Sequence, residues 1–141
     1  MLKSGETFLL PQRSYETEHL YFVLSDAVPP DNKALCVNIT EYKSFHDKTV
    51  ILKALDHPHP FVTKDSSVLY DRIKELDMER IDQLIALNTN QFVCKQHKPC
   101  SNSLLERLRL GVIQSPEVKP YIKAKYAQKW GMALTKVRSA L

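Results

Sequence analysis

The length, composition and charge of the chain exclude several classes of protein. It has 141 residues, 43% hydrophobic content and a formal net charge of +4 at pH 7, which predicts one domain with its own core. No apolar run approaches the ~20 residues of a membrane-spanning helix, and the N-terminal residues lack the apolar region of a secretory signal. The three cysteines, an odd number, do not make a disulfide framework. We therefore expect a reducing, cytoplasmic setting.

The positive charge is concentrated at the C-terminus. Residues 116–141 hold six lysines or arginines and one glutamate, a net charge of +5, whereas residues 1–115 carry a net charge of −1. A basic segment of this kind attracts nucleic acid or an acidic protein. A solvated helix face is an equally good interpretation of the same pattern.

The first half of the chain has the pattern of a β-rich unit. Apolar and β-branched runs between turn residues predict four strands and a further edge strand, at 19–25, 34–40, 49–54, 66–73 and, for the edge strand, 7–10. We therefore expect an α+β fold in which residues 1–76 form a small antiparallel barrel or curled sheet.

After residue 76 the apolar residues recur with helical spacing. Asp77 is a predicted N-cap, and Met78, Ile81 and Ile85 share one helical face. Residues 88–90 predict the end of this helix.

A second helix is predicted before the C-terminal segment. The run from Ser103 to Glu106 has the form of a capping box. It opens an apolar stripe formed by Leu104, Leu105, Leu108 and Val112. Residues 77–115 are thus predicted to be a helical extension packed on the barrel.

The C-terminal segment predicts a basic amphipathic helix over 116–141. Pro116 and Pro120 separate it from the preceding helix. Its apolar row is Tyr121, Ile122, Tyr126, Trp130, Leu134 and Val137. We expect the row to pack on the body of the protein, because an exposed aromatic row is an aggregation liability.

The loop from His57 to Phe61 contains two histidines and two prolines. Proline fixes φ and biases the preceding residue toward extended geometry, so the imidazoles are expected at defined positions. Histidine is the side chain whose unperturbed pKa lies nearest neutrality, and a stiff loop that carries it is a good place for function. Shaping a turn is the alternative role for the same residues.

Motifs for cofactors are absent from the sequence. It has no glycine-rich phosphate loop and no metalloprotease or nucleophile-elbow motif. Cys94-x-x-His97-x-x-Cys100 is the one metal-like spacing, but a structural zinc site needs a fourth ligand. We expect no metal and no cofactor, and interpret this segment as an unmetallated loop before a helix.

Several short motifs resemble one family of bacterial toxins. They are Leu24-Ser-Asp26, Val37-Asn-Ile-Thr40, Asp47-Lys-Thr-Val-Ile-Leu52, Asp56-His-Pro58, Pro60-Phe-Val62, Asp65-Ser-Ser-Val-Leu-Tyr70 and His97-x-Pro-Cys-Ser101. Over residues 18–110 the chain resembles the PemK-like branch of the MazF/PemK superfamily of toxin–antitoxin systems. The resemblance implies an SH3-like barrel with added helices, metal-independent cleavage of single-stranded messenger RNA, and a cognate antitoxin protein as partner.

One feature of the family pattern differs in this chain. The cleaving members rely on an arginine in the loop after the first strand, whereas the basic residue of loop 26–33 is Lys33. This difference motivates an alternative, a non-catalytic SH3-like module that binds RNA or a protein partner.

The candidate site residues follow from the chemistry of RNA cleavage. A base must take a 2′-hydroxyl proton, an acid must protonate the leaving oxygen, and a cation must stabilise the charge on phosphorus. Imidazoles, an ammonium and hydroxyls fit these roles, and the catalytic candidates are His57, His59, Lys48, Thr49 and Ser67. Basic and aromatic side chains hold phosphates and stack on bases, and the RNA-binding candidates are Lys64, Phe61, Tyr70 and Tyr21. Core packing is the alternative role for Phe61 and Tyr70.

Overall fold

The structure is a computed structural model that describes residues 1–11, 18–87 and 94–134. Within these ranges the strands are β1 (Thr7–Pro11), β2 (Glu18–Val23), β3 (Lys33–Glu41), β4 (Ile51–Leu52), β5 (Ser66–Val68), β6 (Lys74–Asp77) and β7 (Lys95–His97). The helices are α1 (Met78–Leu87), α2 (Asn102–Gln114) and α3 (Pro120–Trp130), with 3₁₀ turns at Ala54–Asp56 and Tyr70–Arg72. A membrane crossing would need a longer and more apolar helix than any in the described ranges.

Strand β3 organises the sheet. The described strands all pair antiparallel, in the order β4-β5-β3-β2-β1-β7. On the side of β3 away from β2, residues 33–36 pair with β6 and residues 39–41 pair with β5. The predicted α+β class is confirmed, with an open antiparallel sheet, and the SH3-like barrel stays a prediction.

Side-chain alternation along β2 and β3 divides the core into two layers. One layer, which also holds the buried side chains of α2 and α3, contains Leu20, Phe22, Leu35 and Val37. The other layer, which holds the buried side chains of α1, contains Tyr21, Val23, Ala34 and Cys36. Because both faces of these strands are buried, their sequences are nearly continuous apolar runs.

The predicted strand 66–73 is wrong beyond Val68. The chain leaves the sheet there, forms the 3₁₀ turn at Tyr70–Arg72 and pairs again only as β6. Tyr70 is fully buried and its hydroxyl donates to the carbonyl oxygen of Leu108 at 2.8 Å. The inward packing of this ring against α2 ends the strand.

Strand β1 is not the predicted edge strand. It lies between β2 and β7, since Thr7, Phe8 and Leu9 pair with residues 95–97. β7 is a short polar segment with two exposed residues and one half-buried residue, so no apolar alternation indicates it in the sequence. It is defined by pairing with a strand almost 90 residues earlier in the sequence.

The predicted N-cap of α1 is confirmed, and that of α2 is wrong by two residues. Asp77 Oδ1 accepts from the backbone N–H groups of Glu79 and Arg80 at 3.0 and 3.2 Å. In α2 the cap is Ser101, whose Oγ accepts from Leu104 N–H at 3.1 Å. Both serines fit the cap pattern, and the earlier start satisfies the N–H group of the first buried leucine. The predicted end of α1 at 88–90 lies outside the described residues.

Helix α3 packs on the sheet but ends earlier than its pattern predicts. Ile122 and Tyr126 are buried in the same layer as α2. After Trp130, Gly131 adopts φ 68° and donates to Gln128, while Met132 N–H donates to Ala127 at 2.8 Å. This Schellman arrangement satisfies the last carbonyl groups and stops the helix. Leu134 is therefore not helical, and Val137 lies outside the described residues.

Candidate functional site

The two histidines of the proline-rich loop occupy different environments. His57 follows the 3₁₀ turn with φ 48° and is exposed. It lines a shallow pocket of about 620 Å³ together with Leu55, Val62 and Thr63. His59, two residues later, is buried with 4% exposure.

Both ring nitrogens of His59 are used inside the protein. Nε2 donates to the carbonyl oxygen of Lys98 at 2.7 Å, and Nδ1 accepts from the backbone N–H of Phe61 at 3.1 Å. The same Lys98 oxygen accepts from the Thr7 hydroxyl. Burial, opposed by the Lys98 hydrogen bond and aided by His97 nearby, lowers the pKa of His59 below 6.5. The ring is thus held neutral and ties the loop to the segment before α2.

This arrangement predicts a pH dependence of stability. The unfolded chain protonates His59 more readily than the folded protein does. The contribution of neutral His59 to the unfolding free energy is therefore complete above pH 6.5 and is lost as the pH falls below that value. Urea unfolding at pH 7.5 and 5.5 should show a loss of unfolding free energy in the natural protein. The loss should be smaller in His59→Gln, whose amide keeps a hydrogen bond but does not titrate. An equal loss in both proteins would contradict the assignment.

A large open cleft lies beside this loop. It has a volume of about 880 Å³. The loop contributes Pro60, Phe61, Thr63 and Lys64, and the sheet contributes Glu18, His19, Ile39, Thr40, Glu41, Ser66 and His97. Of the predicted site residues, this cleft brings together Phe61 and Lys64.

Two histidines outside the predicted set line the cleft. His97 is held by a hydrogen bond from Lys98 N–H to its Nδ1 at 2.8 Å, so its proton lies on Nε2. Its ring packs against those of His59 and Phe61, with centroids 5.1 and 5.9 Å apart. His19 is half-buried and has no hydrogen-bond partner in the described parts of the chain. The cleft therefore holds one fixed and one unpaired imidazole.

Lysine and aromatic groups complete the cleft. Lys64 Nζ lies 3.7 Å from a Glu41 carboxylate oxygen, in an exposed pair that water screens. Phe61 is half-buried and packs on the core, so part of its ring remains on the cleft surface. An imidazole and an ammonium can transfer protons, and an aromatic face can stack on a planar ring.

Lys48 and Thr49 lie outside the cleft, near the end of α2. The Asp47 carboxylate accepts from the N–H and hydroxyl of Thr49 and from the Ser115 hydroxyl. Partial burial acts to raise the pKa of Asp47, but these hydrogen bonds and the nearby Lys123 keep it below its usual value. The Thr49 hydroxyl is therefore occupied by a structural hydrogen bond to Asp47, and Lys48 is exposed beside it.

Ser67 also lies apart from the cleft lining. It is fully buried, and its Oγ lies 2.9 Å from His46 Nδ1. His46 Nδ1 also accepts from the backbone N–H of Lys43, so it carries no proton and the serine hydroxyl is the donor. Because Ser67 is fully buried, its hydrogen bond with His46 is a structural contact.

Tyr70 and Tyr21 are buried and do not reach the cleft. Burial, with Asp47 nearby, raises the pKa of Tyr70 well above its usual range, although Arg107 opposes the shift. Tyr21 is 4% exposed and stacks on Phe8 with ring centroids 5.2 Å apart. Neither ring offers a free face to a base in the cleft.

The residues of the metal-like spacing do not form a metal site. Cys94 packs in the layer of α1, whereas Cys100 packs against the layer of α2. Burial, with Glu18 nearby, raises the pKa of Cys94 to about 11. Across the described ranges, no three histidine, cysteine or carboxylate side chains lie in a group that could hold a metal ion.

Sequence reasoning missed His19 and His97 as members of one site. His19 begins a predicted strand, and His97 belongs to a metal-like spacing and to one motif of the family resemblance. Pairing of β1 with both β2 and β7 places the two segments on either side of β1, with His19 opposite Leu10 and His97 opposite Thr7, and both histidines line the cleft. Comparison of the chain with protein-family models, curated proteins and solved structures finds no match.

Proposed function

We propose that this chain is a PemK/MazF-like toxin of a type II toxin–antitoxin system, a metal-independent endoribonuclease that acts on single-stranded RNA in the cleft. The observation that carries the proposal is the presence of His19, His97, Lys64 and Phe61 around one open cleft. The division of β3 between two partner strands supports a sheet that curls toward an SH3-like barrel. A cognate antitoxin would cover the same cleft.

The cleft residues supply the steps of the reaction. His19, free of hydrogen-bond partners in the described ranges, accepts the 2′-hydroxyl proton, and the 2′ oxygen attacks phosphorus. The Nε2–H of His97 donates to a phosphate oxygen as negative charge develops. The bond to the 5′ oxygen then breaks, and Lys64 gives that oxygen a proton. The products are a 2′,3′-cyclic phosphate and a 5′-hydroxyl, and Phe61 stacks on a neighbouring base.

A cleavage assay tests this proposal. Purified protein should cut unstructured RNA in the presence of EDTA and leave 2′,3′-cyclic phosphate ends. His19→Ala should lower the rate by about 10²–10⁴-fold, as expected for loss of a general base. His46→Asn, which alters an imidazole outside the cleft lining, should keep the natural rate.

Two results would contradict the proposal. A folded natural protein that leaves the RNA intact would exclude cleavage. Loss of activity in His57→Ala with full activity in His19→Ala would return the chemistry to the proline-rich loop.

A non-catalytic RNA-binding module is the second candidate. It is favoured by the engagement of both ring nitrogens of His59 and by the loop 26–33, in which the basic residue is Lys33. Such a module would bind RNA without cutting it, and its affinity would fall steeply with salt because phosphate contacts release counterions.

A further inference from the structure

A second pocket lies next to the cleft along the sheet. It has a volume of about 330 Å³ and is lined by Tyr21, Asn38 and residues 71–74. Tyr21 and Asn38 are directly paired between β2 and β3 and form its floor. The 3₁₀ turn at Tyr70–Arg72 and the start of β6 form its rim.

The floor carries a buried donor without a partner. Asn38 is 2% exposed, and its Nδ2 is the one buried side-chain nitrogen or oxygen of the described residues that has no hydrogen-bond partner. A buried donor left unpaired destabilises a protein, so nearly all such groups in native structures have a partner. Asn38 lines the pocket, so a rotation of its side-chain amide toward the pocket would let a bound acceptor satisfy this donor.

The rim carries positive charge that the protein does not use. Arg72 and Lys74 are exposed, and neither side chain has an ion pair or hydrogen bond within the described ranges. Asp71 is the one carboxylate in the lining. An amide donor, a guanidinium and an ammonium around one small pocket favour an oxyanion, and a guanidinium matches phosphate geometry well.

The position of the pocket relates it to the cleft. His19 and Thr40, which line the cleft, lie two residues from Tyr21 and Asn38 on the same strands. Residues i and i+2 of a strand project from the same face about 6.5 Å apart. This separation is comparable to that between successive phosphates of an extended RNA strand.

We infer that Asn38, Arg72 and Lys74 form a phosphate-binding pocket, which holds the backbone phosphate next to the one in the cleft. The phosphate chemistry follows from the pocket alone. Its assignment to RNA rests on the proposed function, since a free phosphate ion would make the same contacts.

Binding experiments separate these two sources. The probes are inorganic phosphate and a short 2′-O-methyl oligoribonucleotide, which cannot be cut through its 2′ oxygen. Each probe should shift the side-chain amide resonance of Asn38 in NMR spectra, identified by its absence from Asn38→Leu. Arg72→Gln should weaken binding about tenfold, as expected for a charge-assisted hydrogen bond. Arg80→Gln removes an exposed arginine of α1 and should change binding less than twofold.

Asn38→Leu distinguishes a binding role from a structural one. Because it removes an unpaired buried donor, the variant should be at least as stable as the natural protein, yet it should bind both probes more weakly. A shift with phosphate but not with the oligonucleotide would overturn the assignment to RNA and keep the phosphate pocket. Absence of a shift with either probe, or equal weakening by Arg72→Gln and Arg80→Gln, would overturn the pocket itself. Cleavage activity is measured separately, so its absence would leave these outcomes intact.

Discussion

Replacing Gly111 by alanine should destabilise the protein by about 2–4 kcal/mol, the sum expected for overpacking and for a lost buried hydrogen bond. A Cβ at this position would overlap Tyr70 Oη and would lie 2.5 Å from Tyr70 Cζ and 2.9 Å from Val50 Cγ2. The ring would have to move, and its hydrogen bond to Leu108 would be lost. Helix propensity alone predicts the opposite sign, a gain of about 1 kcal/mol.

A double-mutant cycle tests the physical cause. Urea unfolding is measured for Gly111→Ala, Tyr70→Phe and the double variant. Because Tyr70→Phe removes the overlapping oxygen, the double variant should lose less unfolding free energy than the sum of the two single losses. Gly131→Ala serves as the control. It adds a Cβ in open space at φ 68°, so its cost, backbone strain, should add independently to that of Tyr70→Phe. Stabilisation by Gly111→Ala would show that the close packing is wrong.

The second large effect is expected from Tyr126→Ala in α3. Tyr126 is 1% exposed, its ring lies against Trp130 with centroids 5.1 Å apart, and its hydroxyl donates to Glu75. Truncation of a buried aromatic side chain costs about 3–5 kcal/mol. Loss of this anchor should lower the melting temperature and shift the fluorescence of Trp130 toward that of an indole in water.

The matched control is Tyr121→Ala on the same helix. Tyr121 is 64% exposed, so its truncation should change the unfolding free energy by less than about 0.5 kcal/mol. Equal effects of the two substitutions would mean that α3 does not pack through the face that contains Tyr126.

The acidic partner of α3 explains part of its position. Glu75 on β6 accepts from both Lys125 and Tyr126. Partial burial acts to raise the pKa of Glu75, but these hydrogen bonds, with Lys125 and Lys33 nearby, hold it below its usual value. The basic character of the C-terminal segment therefore serves docking in part, since Lys125 pairs with Glu75 within the protein.

Much of the candidate site was not predictable from sequence. The proline-rich loop indicated part of the cleft, since Phe61 and Lys64 line it. The sequence did not show whether the ring nitrogens of His59 would face solvent or the protein, because burial of a loop side chain depends on which residues pack over it. His97 and His19 lie 78 positions apart in the sequence, and no local pattern relates them.

The sequence by itself determined the features that depend on neighbouring residues. Apolar runs defined β2 and β3, helical spacing defined the buried stripe of α2, and Asp77 marked the start of α1. These features arise from side-chain periodicity and capping, which act over a few residues.

The tertiary structure alone decided the features that depend on distant segments. It added β7 to β1, ended the predicted strand at Val68 so that Tyr70 could pack on Gly111, and brought His19 and His97 to the lining of one cleft. It also left the Asn38 amide unpaired on the floor of a basic pocket. Strand pairing, close packing and pocket formation join residues that are far apart in the chain, so local sequence patterns do not encode their outcome.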